Sequence, residues 1–240
     1  MKYTQTQRPF GKAQAHHSVR IILMAIGFVV LHVSPALAVC RKPDPKVCAE
    51  FFKSDAVFVG TVLSEQTNVG EYPASITGWT YRLRVERVFR GPSLKAIAVF
   101  TANDSVRLRM DVGHQYLLFA DHQNGQWVIA DCGNSGLLSN SATKIRQIEE
   151  TRKASIGRIE GRVGLYKGVG GVQVVARGSG KTFAAVTDQD GWFRLKVPPG
   201  KYSAQVEAPR VYGFDLSYDD PSDFLVPKGG CAQLQFVAVE

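Results

Sequence analysis

Between residues 56 and 131 short apolar runs are separated by polar turns. Ala56–Leu63 (AVFVGTVL) is rich in β-branched and aromatic residues and predicts a strand. Thr80–Phe89 alternates, with Tyr81, Leu83 and Val85 on one side and Arg82, Arg84 and Glu86 on the other, the period of a half-buried strand. Ala96–Thr101, Gln115–Ala120 and Gln126–Asp131 continue the series, and His122-Gln123-Asn124-Gly125 supplies a hairpin turn between the last two. Two stretches break the pattern. Ala142, Ile145 and Ile148 recur at helical spacing within Ser141–Lys153, with Ser139 or Ser141 available as N-cap, and a shorter helix is expected at Lys46–Lys53.

After Lys153 the strands shorten and glycine, proline and aspartate multiply between them. Arg158–Leu165, Val172–Ala176, Phe183–Thr187, Trp192–Val197, Tyr202–Ala208 and Gln233–Val239 are strand candidates. Turns are expected at Gly168–Gly171, Gly178–Gly180, Asp190-Gly191 and Pro198-Pro199-Gly200. Regular short strands with such turns point to a β-sandwich. Pro209–Phe224 is the one long irregular segment of this half.

The first forty residues follow neither pattern. Lys2, Arg8, Lys12 and Arg20 precede an apolar run from Ile21 to Val33, and Ser34-Pro35-Ala36-Leu37-Ala38 ends it with small residues where a signal peptidase reads. These are the parts of a secretory signal, with cleavage expected between Ala38 and Val39. Pro35 and the small-residue site argue against an uncleaved anchor, so no stable membrane span is expected after cleavage. Val39 stands where a lipoprotein needs a small residue before Cys40. The signal also changes the charge: four of 29 basic side chains and none of 21 acidic ones precede Ala38, so the net charge falls from +8 to +4. No basic stripe with interleaved aromatics remains, and nucleic acid is not an expected partner.

All four cysteines, Cys40, Cys48, Cys132 and Cys231, lie beyond the signal. An even number in an exported chain points to disulfides and to a periplasmic or secreted, extracytoplasmic location. Four cysteines allow three connectivities, and their spacing fits no zinc ribbon.

Ser54-Asp55-Ala56-Val57-Phe58-Val59-Gly60, Val88-Phe89-Arg90-Gly91, Gly113–Ala120 (GHQYLLFA) and a cysteine just after a strand, Cys132, resemble the netrin-like domain family, which includes the tissue inhibitors of metalloproteinases. Gly161-Arg162-Val163, Gly171-Val172-Gln173-Val174, Thr187–Phe193 (TDQDGWF) and Pro199-Gly200-Lys201-Tyr202 resemble the carboxypeptidase regulatory-like domain, a transthyretin-like sandwich. The resemblance implies an all-β fold with minor helix: an OB-type five-stranded barrel over residues 39–153, then a seven-stranded-type β-sandwich over 156–240. It pairs Cys40 with Cys132 and leaves Cys48 to Cys231. The chain departs from the netrin-like pattern by lacking both cysteines of one further bridge.

The family's inhibitors chelate their target's zinc through the amine and carbonyl of an N-terminal cysteine. Cleavage before Val39 would place Cys40 second and remove that geometry. No catalytic or metal-binding set emerges elsewhere. His114 and His122 sit at opposite ends of one strand, roughly 26 Å apart, and no cofactor is expected. Cys132-Gly133-Asn134-Ser135-Gly136 resembles a serine-protease nucleophile loop but lacks its upstream histidine, and Asp188-Gln189-Asp190-Gly191 reads as a hairpin turn rather than a calcium loop. Trp192 reads as sandwich core or edge. The candidate binding loop is Pro209–Phe224, where Tyr212, Phe214 and Tyr218 interleave with Asp215, Asp219 and Asp220; aromatic faces with carboxylates suit sugars, peptides or a cation. The expected function is a non-enzymatic interaction protein of the envelope or extracellular space with an unknown protein or glycan partner. The alternatives are a metalloprotease inhibitor and a carbohydrate-binding protein.

Overall fold

A computed structural model describes residues 45–71, 75–178, 180–208, 212–213 and 219–238. The architecture is all-β with minor helix. The first helix, α1 (Val47–Lys53), leads into β1 (Ala56–Val69), β2 (Ile76–Arg90), β3 (Ala96–Ala102), β4 (Gln115–Gln123), β5 (Gln126–Ile129) and the short β6 (Gly136–Leu137). The order β1-β2-β3-β5-β4, with β1 pairing back onto β4, closes the sheet into a five-strand ring of OB type. Its narrowest join is parallel, Val99 and Phe100 against Trp127 and Val128. Phe58, Val62, Leu83, Val99 and Leu118 fill the ring.

The continuous apolar run of β1 has a second cause. Val57 and Val59, with Leu117 and Phe119 of β4, point out of the ring and are buried under Val47 and Phe51 of α1 and Ile148 of the second helix, α2 (Ala142–Lys153). Both faces of these strands are covered, so strict alternation is not required. β1 also runs further than the sequence pattern implies, because Ser64–Asn68 is polar on both faces, and it pairs with the first residues of β2 as a ribbon beyond the ring. Asn124 (φ 50°) and Gly125 (φ 81°) make the expected two-residue turn. One detail differs: Ser141 stands at the N-cap of α2 but makes no capping bond, its hydroxyl donating instead to the Leu137 carbonyl at 2.8 Å.

The second half stacks two four-stranded sheets. One has the order β10 (Trp192–Val197), β7 (Gly157–Val163), β14 (Cys231–Ala238), β12 (Tyr212–Gly213). The other has the order β13 (Phe224–Val226), β11 (Gly200–Glu207), β8 (Gln173–Gly178), β9 (Lys181–Val186). Ile159, Val163, Val174, Leu195, Tyr202, Leu234 and Phe236 form the core between them. β14 runs parallel to β7 and so close that a Cβ on Gly161 would lie 1.8 Å from the Leu234 carbonyl oxygen. Among the described residues no helix is long and apolar enough to cross a membrane.

Candidate functional site

The site begins with α1, a seven-residue helix buried on nearly every side. An apolar circumference needs two covering surfaces. Val47 and Phe51 face the barrel, while Cys48 and Ala49 face Cys231 at the start of β14. A Cys48–Cys231 disulfide joins the two across 183 positions. The Lys46 backbone N–H donates to Gln233 Oε1 at 2.6 Å, and Lys53 Nζ lies 2.5 Å from Asp219 Oδ1. Asp219 Oδ2 also accepts the Gln233 N–H at 2.7 Å. The helix is therefore the seam between barrel and sandwich. Cys132 is also disulfide-bonded; Cys40, the partner the resemblance implies, lies outside the described residues, as do Ala38 and Val39.

α1 covers only part of the sheet beneath it. Arg158 pairs in register with Lys196 and Cys231, Glu160 with Arg194 and Gln233, and Arg162 with Trp192 and Gln235. Ile159, Gly161 and Val163 face inward on β7, so these three rows share the outer face. Cys231 and Gln233 lie under the helix. The columns from β7 and β10 stay open and floor a groove of 590 Å3, walled by Lys46 of the α1 entry and by Glu150 and Thr151 of α2. A second depression of 470 Å3 shares Lys46, Glu160 and Arg194 with it and continues to Trp192 and the edge of β9.

The electrostatics of the groove are lopsided. Lys46, Arg158, Arg194 and Lys196 line it against two carboxylates, Glu150 and Glu160. Glu160 is already committed: its carboxylate is 4% exposed, accepts from Arg194 Nε at 2.9 Å, and lies 3.3 Å from Lys46 Nζ and 3.9 Å from Arg158 Nε. Arg194 is nevertheless 63% exposed. Among the described residues no carboxylate lies within ion-pair distance of Lys196. Trp192 stands 48% exposed at the far end, facing outward from an edge strand rather than filling the core. Lys46 Nζ and the Arg162 guanidinium each sit 5.6 Å from its ring centroid. Cys48, Cys231 and Glu160 offer ligand atoms within 4.8 Å of one another, but sulfurs joined as a disulfide present no thiolate to a metal.

The candidate loop at Pro209–Phe224 is divided. Asp219 is buried in the seam and bonded to Lys53 and Gln233, so it is a structural group rather than an open ligand. The exposed Asp220 closes its own turn, accepting the Ser222 N–H and hydroxyl at 2.8 Å, bonds that lower its pKa. Phe224 is buried against Tyr202. Tyr212 contributes backbone to β12, opposite Ala238. Phe214, Asp215 and Tyr218 lie outside the described residues. Asp219, Asp220 and Phe224 line a separate 440 Å3 depression with Lys53 and Arg90.

The other sequence candidates resolve into structure. Ser135 Oγ accepts the Phe119 N–H at 2.9 Å, latching its loop to β4. Asp188 Oδ1 accepts from Asp190 N at 3.0 Å and Trp192 N at 2.8 Å, which builds the expected hairpin turn. His122 packs against Trp127 with ring centroids 4.8 Å apart and the rings tilted by 57°.

Glu50, on the buried side of α1, was not singled out by the sequence. Burial pushes its carboxyl from 4.5 up to about 7, against the pull of the Asn134 N–H and side-chain amide, which donate at 2.8 and 2.6 Å. Asp121 raises it further and Lys144 opposes. A carboxyl whose pKa rises on folding favours the folded state fully below its unfolded value, and that contribution disappears as pH climbs through the folded value. Stability is therefore expected to fall between pH 4.5 and about 7, with a Glu50 share of at most roughly 3 kcal/mol. Glu50→Gln should remove this share of the slope, measured by urea denaturation at pH 5 and pH 8; Asp131, pushed to about 7 by burial and by Asp104, leaves a residual slope of the same sign. Identical slopes in the two proteins would contradict a buried, protonated Glu50.

No protein-family model matches the chain, and no curated protein matches it. Among solved structures, a crystal structure of a 9R-lipoxygenase from Cyanothece PCC8801 is similar over 34% of this chain and 16% of that one, at 15% identity and a TM-score of 0.20. A likeness of that size carries neither fold nor activity across.

Proposed function

We propose that this chain is an exported, non-enzymatic interaction protein of the cell envelope or extracellular space, and that it binds an anionic partner in the groove between barrel and sandwich. The observation that carries this reading is the register of β7 and β10, which stacks Arg158, Lys196 and Arg194 on one open sheet face around a single buried carboxylate. Groups held on rigid strands need little reordering when a ligand arrives. A low-dielectric wall on one side strengthens each contact. The closed five-strand ring and the two-sheet second half support a netrin-like domain followed by a regulatory-like one. The buried Cys48–Cys231 bridge supports an oxidising compartment.

The test uses polyvinyl sulfonate, a polyanion without sugar or peptide chemistry, at 150 mM salt. The double variant Arg194→Glu, Lys196→Glu should bind it at least ~10-fold more weakly. Arg82→Glu with Lys95→Glu, exposed on the barrel, makes the same change in net charge and should cost under ~3-fold. Equal losses would mean that overall charge alone attracts the polymer, and the groove assignment would fall.

A further inference from the structure

We infer that the ligand class is an acidic saccharide, with the Trp192 ring as the platform for a pyranose and the cations of β7 and β10 as the partners of its carboxylate or sulfate groups. This rests on the groove being the binding surface, as proposed above.

Three features set this apart from a merely solvated charged face. First, the cations converge on a depression. The two hollows adjoin at Lys46, Glu160 and Arg194, with Lys196 lining one and Trp192 the other. Four residues of strand separate those ends, a span of roughly 13 Å, about two to three linked sugar rings. Second, the aromatic at one end is both exposed and held. Arg162 is tied down by bonds from Nε to the Asp190 carbonyl and from its terminal nitrogen to the Leu165 carbonyl, each 3.0 Å. Lys46 is tied down by Glu160. Both cations lie over the indole, each 5.6 Å from its centroid, and hold it in place while the residue stays 48% exposed. A pyranose lays its apolar C–H face on such a ring and turns its hydroxyls and acid groups outward. Third, the neighbouring rows supply what the acid groups need. Arg194 lies one same-face step from Trp192 and lines both hollows; its bond to Glu160 uses Nε, and with 63% of the side chain exposed the guanidinium stays accessible to a carboxylate or sulfate. Lys196 lies one step further, where the next acid group of a linked saccharide would fall.

An acidic peptide would use the cations but has no need of an indole platform. That difference separates the two. Binding of the full protein is measured by calorimetry to four probes: an oligogalacturonate, its methyl ester, a sulfated oligosaccharide of equal length, and a poly-aspartate peptide. The expected result is binding of one or both acidic saccharides, at least ~10-fold weaker binding of the methyl ester, and a further ~10-fold loss for the acidic saccharides in Trp192→Ala. The carboxylated and sulfated arms identify which acid group is preferred. The far-UV circular dichroism and the urea midpoint of Trp192→Ala should match those of the wild type, which shows that the variant is folded. Poly-aspartate binding as well as the saccharides, with Trp192→Ala without effect on either, would overturn the saccharide inference and leave the anion groove standing. Loss of polyvinyl sulfonate selectivity for the groove would instead remove the premise.

Discussion

Replacing Cys48 and Cys231 together by serine is expected to cost about 5 kcal/mol of unfolding free energy, because the bridge closes a loop of 183 positions and restricts the unfolded chain accordingly. Native disulfides typically contribute roughly 2–5 kcal/mol, and this one is at the long-loop end of that range. Both sulfurs are buried between α1 and β14, and Glu160 Oε1 lies 3.6 Å from Cys48 Sγ, so a serine hydroxyl at 48 keeps an acceptor and the loss is chiefly that of the bridge. The measurement is guanidinium unfolding followed by two probes, Trp79 and Trp127 near the barrel core and Trp192 on the sandwich, read through single-tryptophan variants. The wild type should unfold in one transition. The double variant should shift to lower denaturant and separate into two, since the bridge is the one covalent tie described across the seam, beside polar bonds such as Lys46 N–H to Gln233, Lys53 to Asp219 and Lys46 to Glu160. A shift of less than about 1 kcal/mol with the transition still single would show that packing at the seam, not the bridge, joins the two halves.

The second large effect is at Glu160, where stability and binding should move in opposite directions. Its carboxylate is nearly inaccessible and faces Lys46, Arg158 and Arg194. Removing one partner of a buried charge cluster leaves the others uncompensated, typically at 3–5 kcal/mol. Arg194 keeps most of its contact with water and the Arg158 contact is long, so Glu160→Gln should cost about 3 kcal/mol, the lower end of that range. The same change removes the anion that competes with any ligand for those cations. Affinity for polyvinyl sulfonate, and for an acidic saccharide, should rise about tenfold. In a thermal melt the variant should start lower and gain more from saturating ligand than the wild type does. If stability and affinity both fall, the cations serve only Glu160 and the groove is not a binding surface.

Much of the fold could be read in the sequence because a strand's period is two and a helix's is near four. The alternation over Thr80–Phe89 marked Tyr81 and Leu83 as inward and Arg82 and Arg84 as outward, and their burial follows it. Asn124-Gly125 needs positive φ at both positions, so its turn was legible locally. The polar end of β1 was not, since a strand exposed on both faces has no alternation to detect. The Cys48–Cys231 bridge came with the netrin-like resemblance rather than from the residues themselves.

The site stood differently. The aromatic and acidic segment Pro209–Phe224 reads in sequence as the binding loop, yet Asp219 in that segment is bonded to Lys53 and Gln233 in the seam. Trp192 reads in sequence as sandwich core or edge, and it stands on the edge strand β10. The sequence by itself determined strands at Arg158–Leu165 and Trp192–Val197 and a helix at Lys46–Lys53, and a strand's period of two then puts Arg158, Glu160 and Arg162 in one row and Trp192, Arg194 and Lys196 in another. Only the tertiary structure decided that β7 and β10 lie side by side in a register that stacks those two rows, and that α1 covers the β14 column and leaves the others open. The reason is that periodicity is a local property of about two residues, whereas register and coverage depend on the packing of segments tens to hundreds of positions apart.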